Sequence, residues 1–548
     1  MIPHNRLLIL AIVISFAANW QFGYQITYIN TSASTFHAIS AVARFRDCVS
    51  STNLDNITSC DPSVYPQWPT HWSTIVASFY PGTFLGFILV PYLVRSVGVK
   101  KALLYSCAPA VLGCLLQLVG RVASRLGEPL FIADLVLGRF LVGIHAGSAL
   151  CLLPLFTIEV SPEESRPFIS TLQQVSQAFA TLLGLIIGSN DLIPLGENRF
   201  ELLQIIAVVP TVIFVFLLIK LPKTPFYVVD TMPSGESNEE NLRESLAFYY
   251  NNDSETTVDE VKSEAFSRWS IDDTTPVTVM KQRENVKGLM IGCLAAISYA
   301  FTADDIIDSY SSQILNDGGV KNIDQLVTVI YGVLLVVASI FGSFLIDRFG
   351  RKKLLITGLV ATSGCNFLAL TGFLINLPLL EIVGFGLTKV AIGLGAGAPA
   401  WFLTSELVSP QAVSLCQSLS TGSLLIMAGF LTFVFPPLNK AIGIYSLFFL
   451  AIMPAFFIAG ILVLFLPETK DKTHEAIRIQ LGSNLFSGLE VETLPTKKPK
   501  GREKDPLNLV GSRRNSTLRQ YGTMTVPPAL KRGKVYDASD ASSGISMF

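Results

Sequence analysis

Polar breaks divide this chain into apolar runs at about residues 7–29, 71–94, 102–120, 130–156, 170–188 and 200–221, then 286–312, 323–346, 354–375, 380–402, 417–437 and 443–466. About twenty apolar residues, rising ~1.5 Å each, cover the ~30 Å hydrocarbon layer of a bilayer, so each run predicts a transmembrane helix. The count is about twelve, six on each side of a polar stretch at 222–285. The expected protein is therefore all-α and membrane-integral. It divides into an N-terminal six-helix bundle at 1–221 with an outer loop at 30–70, a linker at 222–285 with some amphipathic helix, and a second six-helix bundle at 286–470. The polar tail at 471–548 lacks apolar periodicity and reads as disordered.

Charge sorts the two sides of the membrane. Loop 95–101 carries Arg95, Lys100 and Lys101, and loop 347–353 carries Arg348, Arg351, Lys352 and Lys353, whereas loops 376–379 and 438–442 share only Lys440. Lys and Arg in short loops stay on the cytoplasmic side, so both termini are expected there and loop 30–70 outside. Arg121 and Arg125 run mildly against the rule. The run from Leu7 is too long for the core of a removable leader and has no small-residue cleavage site, so it reads as a retained span.

The two halves echo each other. Asp347-Arg348-Phe349-Gly350-Arg351-Lys352-Lys353 has a worn copy, Arg95-Ser96-Val97-Gly98-Val99-Lys100-Lys101, roughly 250 residues earlier. Gly138-Arg139 with Gly147 is matched by Thr388-Lys389 with Gly397, and Glu159-Val160-Ser161-Pro162 by Glu406-Leu407-Val408-Ser409-Pro410. Leu221-Pro222-Lys223-Thr224 is matched by Leu466-Pro467-Glu468-Thr469. Four pairs in one order indicate a parallel duplication, with function expected where the halves face each other.

Composition narrows the class. Half of the 548 residues are hydrophobic, 15% are charged and the mean hydropathy is +0.50, against about a quarter charged in soluble domains. The formal net charge of −1 argues against nucleic acid as a partner. No catalytic triad, metal-ligand cluster or phosphate-binding loop is present, so neither an enzyme, a cofactor or metal protein, nor an ATP-driven pump is expected. Cys107, Cys114, Cys151, Cys293, Cys365 and Cys416 lie in apolar runs and read as small buried hydrophobes. Cys48 and Cys60 instead flank the sequon Asn56-Ile57-Thr58, which reads either as a glycosylated, disulfide-closed outer loop or as a chance match. Ser516 follows two arginines as in a basophilic kinase site. His145 reads as a packing residue.

Gln21-Phe22-Gly23-Tyr24, Gly138-Arg139, Leu155-Phe156 through Pro162 with Arg166, Leu221 to Tyr227, Asp347 to Lys353, Gly395 to Phe402 with Glu406, and Leu466 to Lys470 together resemble the sugar-porter branch of the major facilitator superfamily. Within it, the animal facilitative hexose carriers are the most similar group, and the resemblance covers about residues 7–475. It implies a major facilitator fold of two pseudo-symmetric bundles and alternating access around a solute site between them. Hexose-contacting residues implied position by position are Gln174 and Trp401, with Gln173 and Asn30 as neighbours. Each of these amides also reads as helix–helix glue.

The seventh span departs from that family. Tyr299 and Ala300 stand where it carries a Gln pair, Asp305 where it carries Asn, Leu335 at the eighth-helix Asn, and Gly422 and Ser423 at the eleventh-helix polar pair. A hexose lacking those partners would leave hydroxyls unpaired at roughly 1–3 kcal/mol each, so the substrate-binding set is taken as Gln174, Trp401, Gln173, Asn30, Asp305 and Tyr299 without naming the sugar. Asp304, Asp305 and Asp308 are the unusual chemistry: at ~100° per residue Asp304 and Asp308 share a face, with Asp305 one step away. Either the helix breaks here and leaves them in water near the outer mouth, or they form a cation or proton site.

The resemblance also implies an inner gate. Arg351, Lys352, Asp347 and Arg348 of the basic loop meet Glu406 and Glu468, while Arg95, Arg139, Glu159 and Arg166 act in the first half, more weakly because Val99 replaces an expected Arg. Alternatively, the loop cations serve only to set topology. No Asp or Glu occurs from Leu7 to Ile29, which favours a uniporter. The expected function is facilitative uniport of a monosaccharide or related polyol in the plasma membrane. Two alternatives stand: a non-transporting solute sensor, or a proton- or cation-coupled carrier using Asp304, Asp305 and Asp308. Oligomeric state is left open.

Overall fold

The computed structural model describes residues 4–44, 67–162, 165–230, 236–252, 254–270, 279–320, 323–409, 412–470, 472 and 474–483. Among them there is no β-strand, and eleven helices are long and apolar enough to cross a membrane. In chain order they are α1 (Asn5–Thr31), α2 (Trp68–Val97), α3 (Val99–Leu126), α4 (Glu128–Val160), then α6 (Arg199–Lys220) and α7 (Arg283–Asp317). These are followed by α8 (Asp324–Phe349), α9 (Arg351–Leu374), α10 (Pro378–Leu407), α11 (Val413–Ile442) and α12 (Tyr445–Phe465). Between α4 and α6 lies α5, Arg166–Gly188, whose apolar part is the shorter stretch Leu172–Gly188. The expected outer loop is partly helical, because Ala33–Arg44 continues as a helix after α1.

Side chains sort by where they face. Phe216 on α6, Phe344 on α8 and Phe457 on α12 are 62%, 72% and 69% exposed, an arrangement stable only against lipid. The inward faces carry the core, and they also bury Gln21, Gln25, Asn30, Gln117, Arg139, Asn366 and Lys389, each matched to polar partners on neighbouring helices. α1 packs on α5, α2 on α4 and α3 on α4; α7 packs on α11, α8 on α10 and α9 on α10. Within 222–285, Pro225–Asp230, Glu236–Tyr249 and Glu255–Ser270 are helical, and Val228, Leu242, Leu246, Val258 and Val261 form a small apolar cluster among them.

Two local features position the functional groups. The turns from α2 to α3 and from α8 to α9 pass through Gly98 (φ 79°) and Gly350 (φ 91°), left-handed conformations that glycine adopts without side-chain strain. α7 is not continuous: its first part, Arg283–Ala300, ends in a turn, and α7b, Asp304–Asp317, begins after Ala303 at φ 69°. The break is stitched from within by Thr302, whose N–H and Oγ1 donate to Tyr299 O at 2.9 and 2.7 Å. From outside it is held by Asn366 of α9, whose Nδ2 donates to Thr302 O at 2.9 Å. Freed carbonyls at a break in a buried helix need such donors.

Candidate functional site

A cleft of about 610 Å³, counting its part open to solvent, lies between α1, α5, α7 and α10. The π-helical turn Ile392–Ala396 interrupts α10 just before Trp401, an irregularity that alters where the side chains beyond it point. The Trp401 ring then stands 5.8 Å from the Tyr299 ring and 6.4 Å from Phe22, both edge-on. Gln174 of α5 also lines the cleft. Asp305 lines it too, with Oδ1 accepting from Tyr80 OH of α2 at 2.9 Å and Oδ2 buried without a hydrogen-bond partner.

The other two residues expected at the solute are placed elsewhere. Asn30 spends its carboxamide on α7b: Nδ2 donates to Ile307 O, Asp308 O and Ser311 Oγ at 3.2, 2.9 and 2.9 Å, and Oδ1 accepts from Ser312 N at 3.2 Å. Gln173 turns toward α4, donating to Leu150 O at 3.4 Å, while its own carbonyl accepts from Asn19. Adjacent helical positions point about 100° apart, so Gln173 does not share the direction of Gln174.

The acids on α7b are not left in water. Lys389 of α10, 1% exposed at its side chain, places Nζ 2.5 Å from Asp304 Oδ1 and 2.5 Å from Asp308 Oδ1, and 3.3 Å from Asp304 O. Tyr299 OH donates to Asp304 Oδ2 at 2.5 Å. One ammonium thus bridges two carboxylates one helical turn apart, and Asp305 is the carboxylate left over. Of the two readings of these acids, the one with a helix break has its break at this position, but Asp304 and Asp308 are buried and ion-paired and not left in water.

The basic loops meet different partners in the two halves. Arg351 donates from Nε to Glu406 Oε1 at 3.3 Å, and Glu468 Oε1 accepts from the backbone N–H of Arg351 at 2.9 Å, of Thr469 at 3.1 Å and of Lys470 at 3.2 Å. A carboxylate on the first amides of α9 is favoured by the helix dipole. Lys352 Nζ donates to Val463 O at 2.9 Å, and Arg348 lies exposed with its guanidinium 5.9 Å from the Phe349 ring centre. Asp347 sits in the last turn of α8.

In the first half the expected set is not assembled. Arg166 grips Glu264 of the 255–270 helix through both terminal nitrogens at 2.8 and 2.9 Å, while its Nε donates to Ser161 O. Burial would lower the Arg166 pKa, but the Glu264 carboxylate outweighs it and the net shift is upward. Glu159 accepts from Thr224 Oγ1 at 2.6 Å. Arg95 is exposed.

Arg139, expected at the inner gate, lies inside the bundle instead. It is 1% exposed and donates to Gln25 O at 3.0 Å and Val76 O at 3.3 Å, with its guanidinium 5.7 Å from the Phe79 ring centre. Cys48, Asn56, Cys60 and Ser516 lie outside the described residues, and the described residues hold no cluster able to bind a metal ion.

Sequence reasoning did not find the Lys389 pairing, Tyr80 or Glu264. A signal existed for the first: a lysine alone in an apolar run needs an acid partner, and Asp304 and Asp308 share a helical face. Nothing in the sequence links Tyr80 to Asp305 or Arg166 to Glu264, because helix rotation and the fold of the linker decide both.

The sequence profile of the family described as sugar (and other) transporter matches residues 10–481. A Caenorhabditis elegans protein named facilitated glucose transporter protein 1 is 26% identical over 424 residues, covering 75% of this chain and 80% of that one. Bovine solute carrier family 2, facilitated glucose transporter member 4, is 25% identical over 495 residues, covering 87% and 91%. Among solved structures, the inward-open xylose transporter XylE from E. coli superposes with a TM-score of 0.67 at 18% identity, over 86% of this chain and 99% of that one.

Proposed function

Because the chain belongs to the sugar (and other) transporter family, we propose that it is an alternating-access carrier moving a monosaccharide or related polyol by facilitative uniport. The observation that carries this reading is the cleft where Gln174 lies alongside the Trp401 and Tyr299 rings. A carboxamide donates to one hydroxyl and accepts from another, and an aromatic face covers the apolar side of a sugar ring. Names such as glucose transporter among the relatives and xylose transporter among the structural neighbours support the solute class. The absence of Asp and Glu between Leu7 and Ile29 supports uniport over proton symport.

The proposed topology has two six-helix bundles, 1–221 and 286–470, joined by the linker 222–285. The basic loops, both termini and the tail 471–548 face the cytoplasm of the plasma membrane, which the loop charges support. Asn30 on α7b, and Ser189 Oγ donating to Gln325 Oε1 at 2.9 Å, join the halves at the end opposite the basic loops. In this reading that end is shut and the cleft faces the basic loops, so Arg351–Glu406 and Glu468 are paired while the inner side is open and brace the loop within the second half.

Purified protein in proteoliposomes, screened against monosaccharides and polyols, is expected to give saturable counterflow. Gln174→Ala and Trp401→Ala should each lower kcat/KM by about tenfold. Binding without counterflow of any solute would replace the carrier with a sensor. One observation favours a second reading, a cation- or proton-coupled carrier: the unpartnered Asp305 Oδ2. Uptake across a pH gradient separates the two, since a uniporter keeps its pH profile in Asp305→Asn and a coupled carrier does not.

A further inference from the structure

We propose that Lys389 is a built-in counter-cation that anchors α7b to α10, so that α7b travels with the second half of the chain when the halves separate; this rests on the carrier reading. The ammonium has three donors and three acceptors in reach, two carboxylate oxygens at 2.5 Å and the Asp304 carbonyl at 3.3 Å. Other side-chain ties of α7b to the second half are donated by hydroxyls, Tyr310 OH on Thr432 O at 3.0 Å, Ser311 Oγ on Thr328 Oγ1 at 3.1 Å and Ser312 Oγ on Asp324 Oδ2 at 3.0 Å, and Lys389 adds the charged one. α7b begins after a left-handed Ala303 that offers no side-chain cap, so no continuous hydrogen-bonded helix carries force to it from the first part of α7.

α7b is also held by the first half, through Asn30 and through Tyr80 on Asp305. The two sets of contacts differ in what can replace them. Water entering an opening cleft can substitute for the amide and phenol hydrogen bonds of Asn30 and Tyr80 at little net cost. Separating an ammonium from two buried carboxylates leaves three uncompensated charges, which water at one edge does not repair. Opening therefore breaks the Asn30 and Tyr80 side and keeps the Lys389 side. The lysine also stands where two acids on one helix face would otherwise require a cation from solution, which makes this position independent of a coupling ion.

The test compares Lys389→Met with the triple variant Lys389→Met, Asp304→Asn, Asp308→Asn, in counterflow and in the Tm of the purified protein. Lys389→Met is expected to lower kcat by at least about tenfold with KM within about threefold, and to lower Tm; the triple variant, free of the charges that Lys389 had paired but without the anchor, should recover most of the Tm while kcat stays low. An unchanged Lys389→Met overturns the proposal, and so does a triple variant whose Tm stays as low as the single's or whose kcat returns to that of the unmodified protein. A raised KM at unchanged kcat overturns it by making Lys389 a solute contact. Should Lys389→Met not fold, the triple variant decides: folded with a lowered kcat supports the anchor, and folded with full kcat, or unfolded, overturns it. If the unmodified protein carries no solute, the carrier reading fails, and the Tm comparison alone upholds or overturns the anchor.

Discussion

The two basic loops turn on the same backbone and are held by different chemistry. Gly98 and Gly350 have nearly the same dihedrals, φ 79° and ψ 164° against φ 91° and ψ 161°. Beside Gly350 stands a carboxylate, Glu468, on the first amides of α9, with Arg351 on Glu406 close by. Beside Gly98 stands the Tyr227 ring, Lys100 Nζ donates to the Leu221 carbonyl, and in the same half Arg166 pairs with Glu264 of the 255–270 helix. The turn is a requirement of chain geometry, so the same backbone serves both loops. The partners differ, charges of the second half at Gly350 and Arg166 on Glu264 of the 255–270 helix in the first.

This contrast can be broken in graded ways. The largest effect is expected from Gly98→Val and Gly350→Val. A β-branched residue at positive φ is strained, and a Cβ would lie 2.2 Å from Tyr227 Cδ2 in one case and 2.7 Å from Glu468 Oε2 in the other. Each should cost about 3 kcal/mol or more, read as a lowered Tm, and tolerance at Gly98 alone would show that the turns are not equivalent. Charge reversal comes next. Glu406→Lys and Glu264→Lys each face a partly buried arginine and should cost roughly 1–2 kcal/mol after solvent screening. They should diverge in transport: Glu406→Lys shifts the balance of inner-open and inner-closed states, measured by cysteine accessibility near the loop, while an equal shift from Glu264→Lys would give the first half a latch through the linker. Arg95→Ala should be the smallest, with Tm and uptake unchanged, because its side chain is exposed. A clear loss there would restore the gate role that its resemblance implied.

Much of the fold was legible because membrane burial leaves a strong one-dimensional signature. Apolar runs, the polar stretch at 222–285 and the two Gly-centred loops could all be drawn without knowing what touches what. The cleft was legible in part: Gln174, Trp401, Tyr299 and Asp305 line it together with Asp304 and Asp308, whereas Gln173 and Asn30 bind neighbouring helices. An amide reads the same in sequence whether it faces a solute or another helix, and only rotation about the helix axis separates the uses. Arg139 misled for a related reason. Its position beside Gly138 matches the family's motif, but a motif does not say how deep in the bundle a side chain lies.

What the sequence determined by itself is the set of helices, their repeat and the family, since each depends on local composition and on spacing along the chain. What only the tertiary structure decided is which charges meet. Asp304 and Lys389 lie 2.5 Å apart across 85 positions of chain, and Asp305 is reached by Tyr80 across 225. Those pairings depend on a left-handed residue that breaks α7 and on the rotation of α10, and neither leaves a period in the sequence. Composition could show that three acids and one lysine sit in apolar runs at a cost. All three acids line the cleft, and packing alone assigned two of them to the lysine and left the third without a cation.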